Sequence, residues 1–489
     1  MKNLRNVFGE NPALVFVLVY FAFQAVLVAT VSNGAGLDDA EQLSYIGILE
    51  WGYGGSQPPL YTWLTNAATA VFGVNLFTLQ LVKFSLLASM FVSVYFAARL
   101  LGIAKPVAAS AMLGLFLIPQ LAWESQRALT HSVASTAACA WLLLAFAWHM
   151  KSRSWVSAFF LGLAPTAALL GKFNASFFIA SLFLAGLSIP AYRSVLLSRK
   201  SLLSFAVFVV SLAPTALWML SHSSQVLGRV SKLGIDEAGS IILGRITGLS
   251  DMVYAGLNFS GVALGVFLLA WLFNRKGEAA VPKAETANEG TRLIGRLIAV
   301  AIALVLIGVT FSGATQVKDR WLQPVLFLLP VLLVIWLAQL GVNRKGIRDF
   351  GLIGCLAALI VPAVLSYYLV YGSSNKPPIG QLDYAGFYGQ LNEQGSFATM
   401  LGDGPQIISN LRLLGSQANI VHQETTNPAS RIQKPVLVIW RGKKELLPGL
   451  IAILEQAKID WAGTDIKVAD IPYRNDPGDS ETYSYMIIN

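Results

Sequence analysis

The chain has 489 residues, 55% of them hydrophobic and only 12% charged, with a formal net charge of +9 and a mean hydropathy of +0.60. A soluble protein of this length carries roughly a quarter charged residues, so an ordinary soluble enzyme is excluded in favour of a polytopic helical membrane protein. Surplus Lys and Arg in such a chain reflects loop topology, which leaves no case for nucleic acid as a partner, and Cys139 and Cys355 both lie in apolar blocks that suggest neither a disulfide nor a thiolate metal site.

Eleven apolar blocks near the ~20 residues needed to cross a bilayer are predicted at 12–32, 77–101, 106–122, 132–150, 155–170, 173–192, 201–221, 254–273, 296–312, 321–341 and 350–371. The first is longer than the ~7–15 residues of a signal-peptide core and no small-residue cleavage site follows, so it reads as an uncleaved signal anchor. With the N-terminus in the cytoplasm, seventeen Lys and Arg fall on the cytoplasmic side. The outer loops before residue 373 receive seven: Arg127, Lys172, Arg229, Lys232, Arg245, Lys318 and Arg320. This positive-inside bias sets the orientation, and an odd number of spans puts the C-terminus outside. The Ala/Glu/Lys-rich segment 274–296 is expected to be a flexible cytoplasmic linker.

The first outer loop, 33–75, carries the densest group of acids. In "GLDDAEQLSYIGILEWGYGGSQPPLYTWL" (36–64), Asp38, Asp39, Glu41 and Glu50 stand with no Lys or Arg. Adjacent carboxylates resist simultaneous ionisation without a compensating metal, solvent or cationic substrate, so one can serve as a general base. The plainer alternative is a solvated loop that N-caps a helix "DAEQLSYIGILEW". Pro58 and Pro59 fix an extended turn, followed by Tyr61, Trp63 and Leu64 as an interfacial aromatic anchor.

Other polar groups on the outer side are Glu124, Gln126, Arg127, His131, Lys172, His222, Arg229, Lys232, Asp236, Glu237, Lys318, Asp319 and Arg320. His131 can bind a metal as a neutral imidazole or pair with a substrate carboxylate as imidazolium, or be merely structural. Lys172 either marks a loop between two apolar blocks or belongs to the site. Lys318 and Arg320 are either phosphate ligands or interface cations that snorkel. Segment 373–489 changes character, with ten Lys or Arg and twelve Asp or Glu. "PVLVIW" (435–440) and "ETYSYMIIN" (481–489) read as strands and "LLPGLIAILEQAKI" (446–459) as a helix, giving a small α/β domain.

The "DDAEQ" (38–42) and "QPPLYTWL" (57–64) motifs resemble the first external loop of the GT-C glycosyltransferases. That is the broad glycosyltransferase 39/83 group, which includes protein O-mannosyltransferases and the lipid A aminoarabinose transferase. The wording "WGYGGSQPPLYTWL" is similar to rhizobial-type lipopolysaccharide galacturonosyltransferases. The resemblance implies a GT-C fold of about 11 spans over 1–372, with an extracytoplasmic α/β domain over 373–489. It implies an inverting transferase in the bacterial inner membrane. The donor is a polyprenyl-phosphate-linked sugar, and the acceptor is lipid A, lipopolysaccharide or another outward-facing lipid or glycan.

On the same resemblance Asp38 is the catalytic base, with Asp39 where the family's Glu stands beside it. Lys318 and Arg320, in "TQVKDRWLQPVLFLLP" (315–330), bind the donor phosphate together with Arg127 and Lys172. Glu41, Gln57, Tyr61 and His131 contact substrate. The cofactor is open, a divalent metal held by Asp39 and His131 being one option. The chain departs from the pattern in having Gln57 where aminoarabinose users have Lys, His131 where many relatives have Asp, and Trp321 where Tyr is common. The first two fit a donor of different charge, such as a uronic acid.

Two other readings compete with transfer. A secondary transporter or flippase-like protein for a lipid-linked sugar predicts ionisable groups at mid-membrane, whereas here Lys83 alone lies deep in an apolar block. A non-catalytic assembly protein predicts no cost for losing Asp38.

Overall fold

The computed structural model describes residues 11–54, 57–223, 241–274, 288–373, 377–442 and 445–489. Arg229, Lys232, Asp236 and Glu237, and the linker over 275–287, lie outside the described residues. Among the described residues, seven helices are long and apolar enough to cross a membrane, and nine if each of two bent pairs is one span. The predicted blocks at 106–122 and 173–192 are those bent pairs. Lys105–Leu117 and Gln120–Arg127 meet at 74°, and Ala175–Leu187 and Pro190–Leu196 at 112°. The blocks at 155–170 and 321–341 form shorter apolar helices, Trp155–Gly171 and Gln323–Gln339. This is a multi-pass helical membrane protein.

The chain divides into two compact units, residues 1–22 with 83–361 and residues 23–82 with 362–489. The first is helical. Tyr20, Phe21, Phe84, Phe91 and Phe116 form one aromatic cluster with ring centroids 4.5–6.3 Å apart. Helices Thr130–Ser152 and Trp155–Gly171 pack on small residues, as expected where helix association depends on close backbone approach. A Cβ on Gly171 would stand 2.5 Å from the Ser135 nitrogen. Helix Glu289–Ser312 starts earlier than its apolar block because Asn288 and Thr291 form a capping box. Arg292 and Arg296 are therefore helical rather than part of a linker.

The second unit contains the acidic loop and the C-terminal residues. Its five strands are β1 (Thr399–Gly402), β2 (Asn419–His422), β3 (Val436–Arg441), β4 (Lys467–Tyr473) and β5 (Asp476–Ile488), in the order β2-β1-β3-β5-β4. β1 is parallel to β2 and β3, and β5 is antiparallel to β3 and β4. Alternation along β3 sends Leu437 and Ile439 to one face, among Phe387, Ile408 and Leu411. Val436, Val438 and Trp440 go to the other, among Leu450, Ile453 and Leu454. A strand covered on both faces reads as one continuous apolar run, which is why "PVLVIW" was legible. Both predicted strands and the helix, here Pro448–Gln456, are present.

Candidate functional site

The second unit holds the acids. Helix Leu37–Ser44 carries Asp38 and Asp39 in its first turn, with Gly36 as N-cap and no side-chain cap. The N-cap reading is therefore corrected: both carboxylates lie inside the helix, where they complement the positive end of its dipole. The helix also stops at Ser44, short of the expected 51, because the chain turns at Tyr45–Ile48. Asp39 is 7% exposed, and its Oδ2 accepts a 2.9 Å hydrogen bond from Gln80 Nε2. This fixes one carboxylate of the pair, while Asp38 is only half-buried.

Tyr53 and Gln57 pair through both backbone groups, at 2.9 and 2.7 Å, and Pro58-Pro59 leads directly into helix Leu60–Phe72. Tyr61 is not a surface anchor. It is 1% exposed, and burial, reinforced by the negative charges of Asp39 and Asp38, holds its phenol well above the usual range. Its phenol thus remains a neutral donor near the acids. Trp63 is half-buried, stacked edge-on against Trp51 at 5.1 Å, and donates to Glu50 O at 2.9 Å. Those two indoles line an open apolar groove of about 780 Å³ with Leu49, Ala67, Ala70 and Val74. Burial likewise pushes the Tyr53 phenol to about 12, so it stays protonated and bridges Ile48 O and Glu50 N at 2.7 and 2.9 Å. Glu41 Oε1 lies near Gly54, at the turn with φ +47°.

The sequence stretch offered Glu50 no cation, but the fold does. Arg431 pairs with it from the C-terminal part of the chain.

The first unit holds the cations. Lys318 precedes a single turn, Asp319–Trp321, and both Lys318 and Arg320 are exposed. The segment is stitched in on several sides. Asp251 Oδ2 accepts from Val317 N at 2.6 Å, Gln120 Nε2 donates to Asp319 Oδ2 at 2.9 Å, Gln323 Nε2 donates to Ser125 Oγ at 2.9 Å, and Asn174 Nδ2 donates to Trp321 O at 2.8 Å. Lys318 and Arg320 line a cleft of about 440 Å³ with Glu124, Asp251 and Asp319. Arg127 forms a 2.8 Å ion pair with Glu124, and so reaches the same cleft through its partner. Lys172 Nζ donates to Ser132 Oγ at 2.9 Å, next to His131, which is 5% exposed.

The chain between these groups is irregular. Gln120–Glu124 is a widened π-type turn, and Leu129 adopts a left-handed conformation at φ 63° that costs a non-glycine residue energy. Both features recur at functional sites. Asp251, Gln120 and Gln323 were missed in the sequence. The available signal was an acid inside the long apolar helix Ile241–Phe273. Among the described residues, no group of three or more His, Cys, Asp or Glu side chains could hold a metal ion. Neither His131 nor Asp39 belongs to such a cluster among the described residues.

This architecture matches solved structures along nearly its whole length. The crystal structure of ArnT from Cupriavidus metallidurans bound to undecaprenyl phosphate aligns with TM-score 0.60 at 13% identity, covering 96% of this chain and 97% of that one. The apo ArnT structure aligns with TM-score 0.58 at 12% identity, covering 97% and 98%. A family model described as dolichyl-phosphate-mannose-protein mannosyltransferase matches residues 56–218. The lipopolysaccharide core galacturonosyltransferase RgtB of Rhizobium johnstonii is 30% identical over 96% of both chains. RgtA of the same organism is 28% identical over 87% of this chain and 85% of its own. The chain belongs to this family of GT-C membrane glycosyltransferases.

Proposed function

We propose that the protein is an inverting glycosyltransferase that moves a sugar, put forward here as a uronic acid, from a polyprenyl-phosphate-linked donor. The acceptor is lipid A, lipopolysaccharide or another lipid or glycan outside the cytoplasm. The observation that carries this reading is the likeness, over 96% of the chain, to a transferase named for galacturonosyl transfer to the lipopolysaccharide core. The fold neighbour with undecaprenyl phosphate bound supports the class of donor.

In this mechanism Asp38 takes the proton of an acceptor hydroxyl as its oxygen attacks the anomeric carbon. The bond from that carbon to the polyprenyl phosphate breaks with inversion, and the phosphate departs as an anion. Lys318, Arg320, Arg127 and Lys172 are assigned to that anion, because a cation aimed at developing charge lowers the barrier more than it aids ground-state binding. Asp39, held by a hydrogen bond from Gln80, stands beside the base in the same helical turn. Glu41, Gln57, Tyr61 and His131 are assigned to substrate contacts. The enzyme is placed in a bacterial inner membrane with the N-terminus cytoplasmic and the acidic loop and C-terminal residues periplasmic.

The test is to extract the purified protein with organic solvent and identify co-purified lipids by mass spectrometry, then to assay sugar transfer to lipopolysaccharide. A polyprenyl phosphate carrying a hexuronosyl mass, consumed on addition of acceptor, is expected. A protein that binds no such lipid and transfers nothing from it sinks the reading.

A further inference from the structure

Asp38 sits on a helix of eight residues, too short to persist in water on its own. Another helix of the same compact unit, Pro405–Leu413, packs against it. Asn410 is 1% exposed and pairs with both backbone groups of Ala35. Its Oδ1 accepts from Ala35 N at 2.6 Å and its Nδ2 donates to Ala35 O at 2.8 Å, one residue ahead of the N-cap Gly36. Two positions further on, Arg412 Nη1 donates to Leu43 O and Ile46 O, both at 3.1 Å, at the other end of the acidic helix. A Cβ on Gly34 would stand 2.7 Å from Asn410 Oδ1 and 2.8 Å from the Tyr384 ring. The chain can therefore lie this close to Asn410 only without a side chain at position 34.

We propose that Asn410 and Arg412 are positioning residues for glycosyl transfer: they clamp the two ends of helix Leu37–Ser44 and so fix the direction of the Asp38 carboxylate. The proposal rests on the reading of Asp38 as the base. The chemistry of the clamp suits the helix. Two acids occupy its first turn, and the Arg412 guanidinium meets the Leu43 carbonyl of its last turn, so both ends complement the dipole. An amide is required at 410, because an Asp there would set an acceptor against Ala35 O. A third contact supports the same end. His422 Nδ1 accepts from Glu424 N at 3.3 Å, which leaves the proton on Nε2 to donate to Ser44 Oγ at 3.2 Å. Ser44 Oγ in turn donates to Glu41 O at 2.6 Å.

The test uses the full chain in nanodiscs and reads hydrogen exchange in residues 35–46 beside the kinetics of transfer. A misplacement of about 1 Å can cost on the order of 10² in rate. On that basis Asn410→Ala and Arg412→Gln are expected to speed exchange in 35–46 and lower kcat about 10- to 100-fold, with KM for donor and acceptor within about threefold. Arg412→Lys should recover most of the loss, since an ammonium can still donate to both carbonyls. Gly34→Ala should copy Asn410→Ala with Asn410 in place, which keeps the test standing if Asn410→Ala fails to fold. Exchange in β3 and β5 should stay as in wild type. Unchanged exchange in 35–46 overturns the clamp. Faster exchange there with unchanged kcat overturns the assignment of the base, and the positioning role with it.

Discussion

Asp38 and Asp39 differ in surroundings although they are neighbours in sequence. Asp39 is buried and tied to Gln80, whereas Asp38, the proposed base, is half-buried. Asp38→Asn keeps the shape and removes the proton acceptor. It should lower kcat by about 10²–10⁴ while membrane insertion is unchanged, and Asp39→Asn should be milder. Transfer by Asp38→Asn within a few-fold of wild type takes this residue out of the mechanism. His422 allows a prediction about pH. Burial pushes its imidazole down from 6.5 to about 4, so the folded chain favours the neutral form. Its contribution to stability is complete above about 6.5 and is lost as pH falls from there toward 4, because the unfolded chain takes up the proton first. The loss is about 3 kcal/mol at about 1.4 kcal/mol per unit. Melting of the full-length protein between pH 7.5 and 4.5 should fall steeply for wild type and less so for His422→Gln; parallel curves would show that His422 is not the group. Asp38 stood out as a candidate because two adjacent acids in a loop that ends in a Pro-Pro turn form a local pattern. Asn410, Arg412 and His422 were not, because their partners lie 366–378 residues away and no local periodicity records such a pairing.

At the scale of elements, legibility followed length and burial. β3 and β5 read as strands from their apolar runs, whereas β1 and β2 have four residues each, too few for periodicity to register. β4 is a largely exposed edge strand containing Pro472, and proline counts against a strand assignment everywhere except at such an edge. The broken helix before Arg127 was invisible for another reason: both arms are apolar, and composition does not report a 74° bend. That bend, with the π-type turn Gln120–Glu124, is what brings Gln120 to Asp319. The segment held there makes the next prediction. Once a donor phosphate excludes water from Arg320, losing its charged hydrogen bonds should cost about 1.5–3 kcal/mol. Arg320→Ala then weakens donor use roughly 10- to 100-fold with acceptor KM nearly unchanged. Arg320→Lys should recover little, because a point charge does not reproduce the planar fork. A lysine variant equal to wild type, with the acceptor KM shifted instead, moves the phosphate to Arg127 and Lys172.

For the whole molecule, the two compact units cut across the boundary that composition suggests. The change from apolar to mixed sequence falls near residue 373, yet residues 23–82 pack with 362–489. The acidic loop belongs physically with the sheet, tied to it by Asn410, Arg412, His422 and the Arg431–Glu50 pair. That grouping has a topological consequence. A loop and a sheet that form one unit outside the bilayer core must lie on the same side of the membrane, because the polar backbone of an open sheet cannot be satisfied within hydrocarbon. The loop follows the first span and the sheet follows the last, so the number of crossings between them must be even. Under the proposed orientation, taken from the charge bias, both lie on the outer side. A phosphatase reporter that is active only outside the cytoplasm should therefore be active when fused after Asn489 or inserted near Gly47, and inactive when inserted within 276–291. Activity at 276–291 with silence after Asn489 reverses the orientation and removes the outward-facing chemistry. Opposite answers at Gly47 and Asn489 would instead break the pairing of loop and sheet, and with it the clamp on the acidic helix.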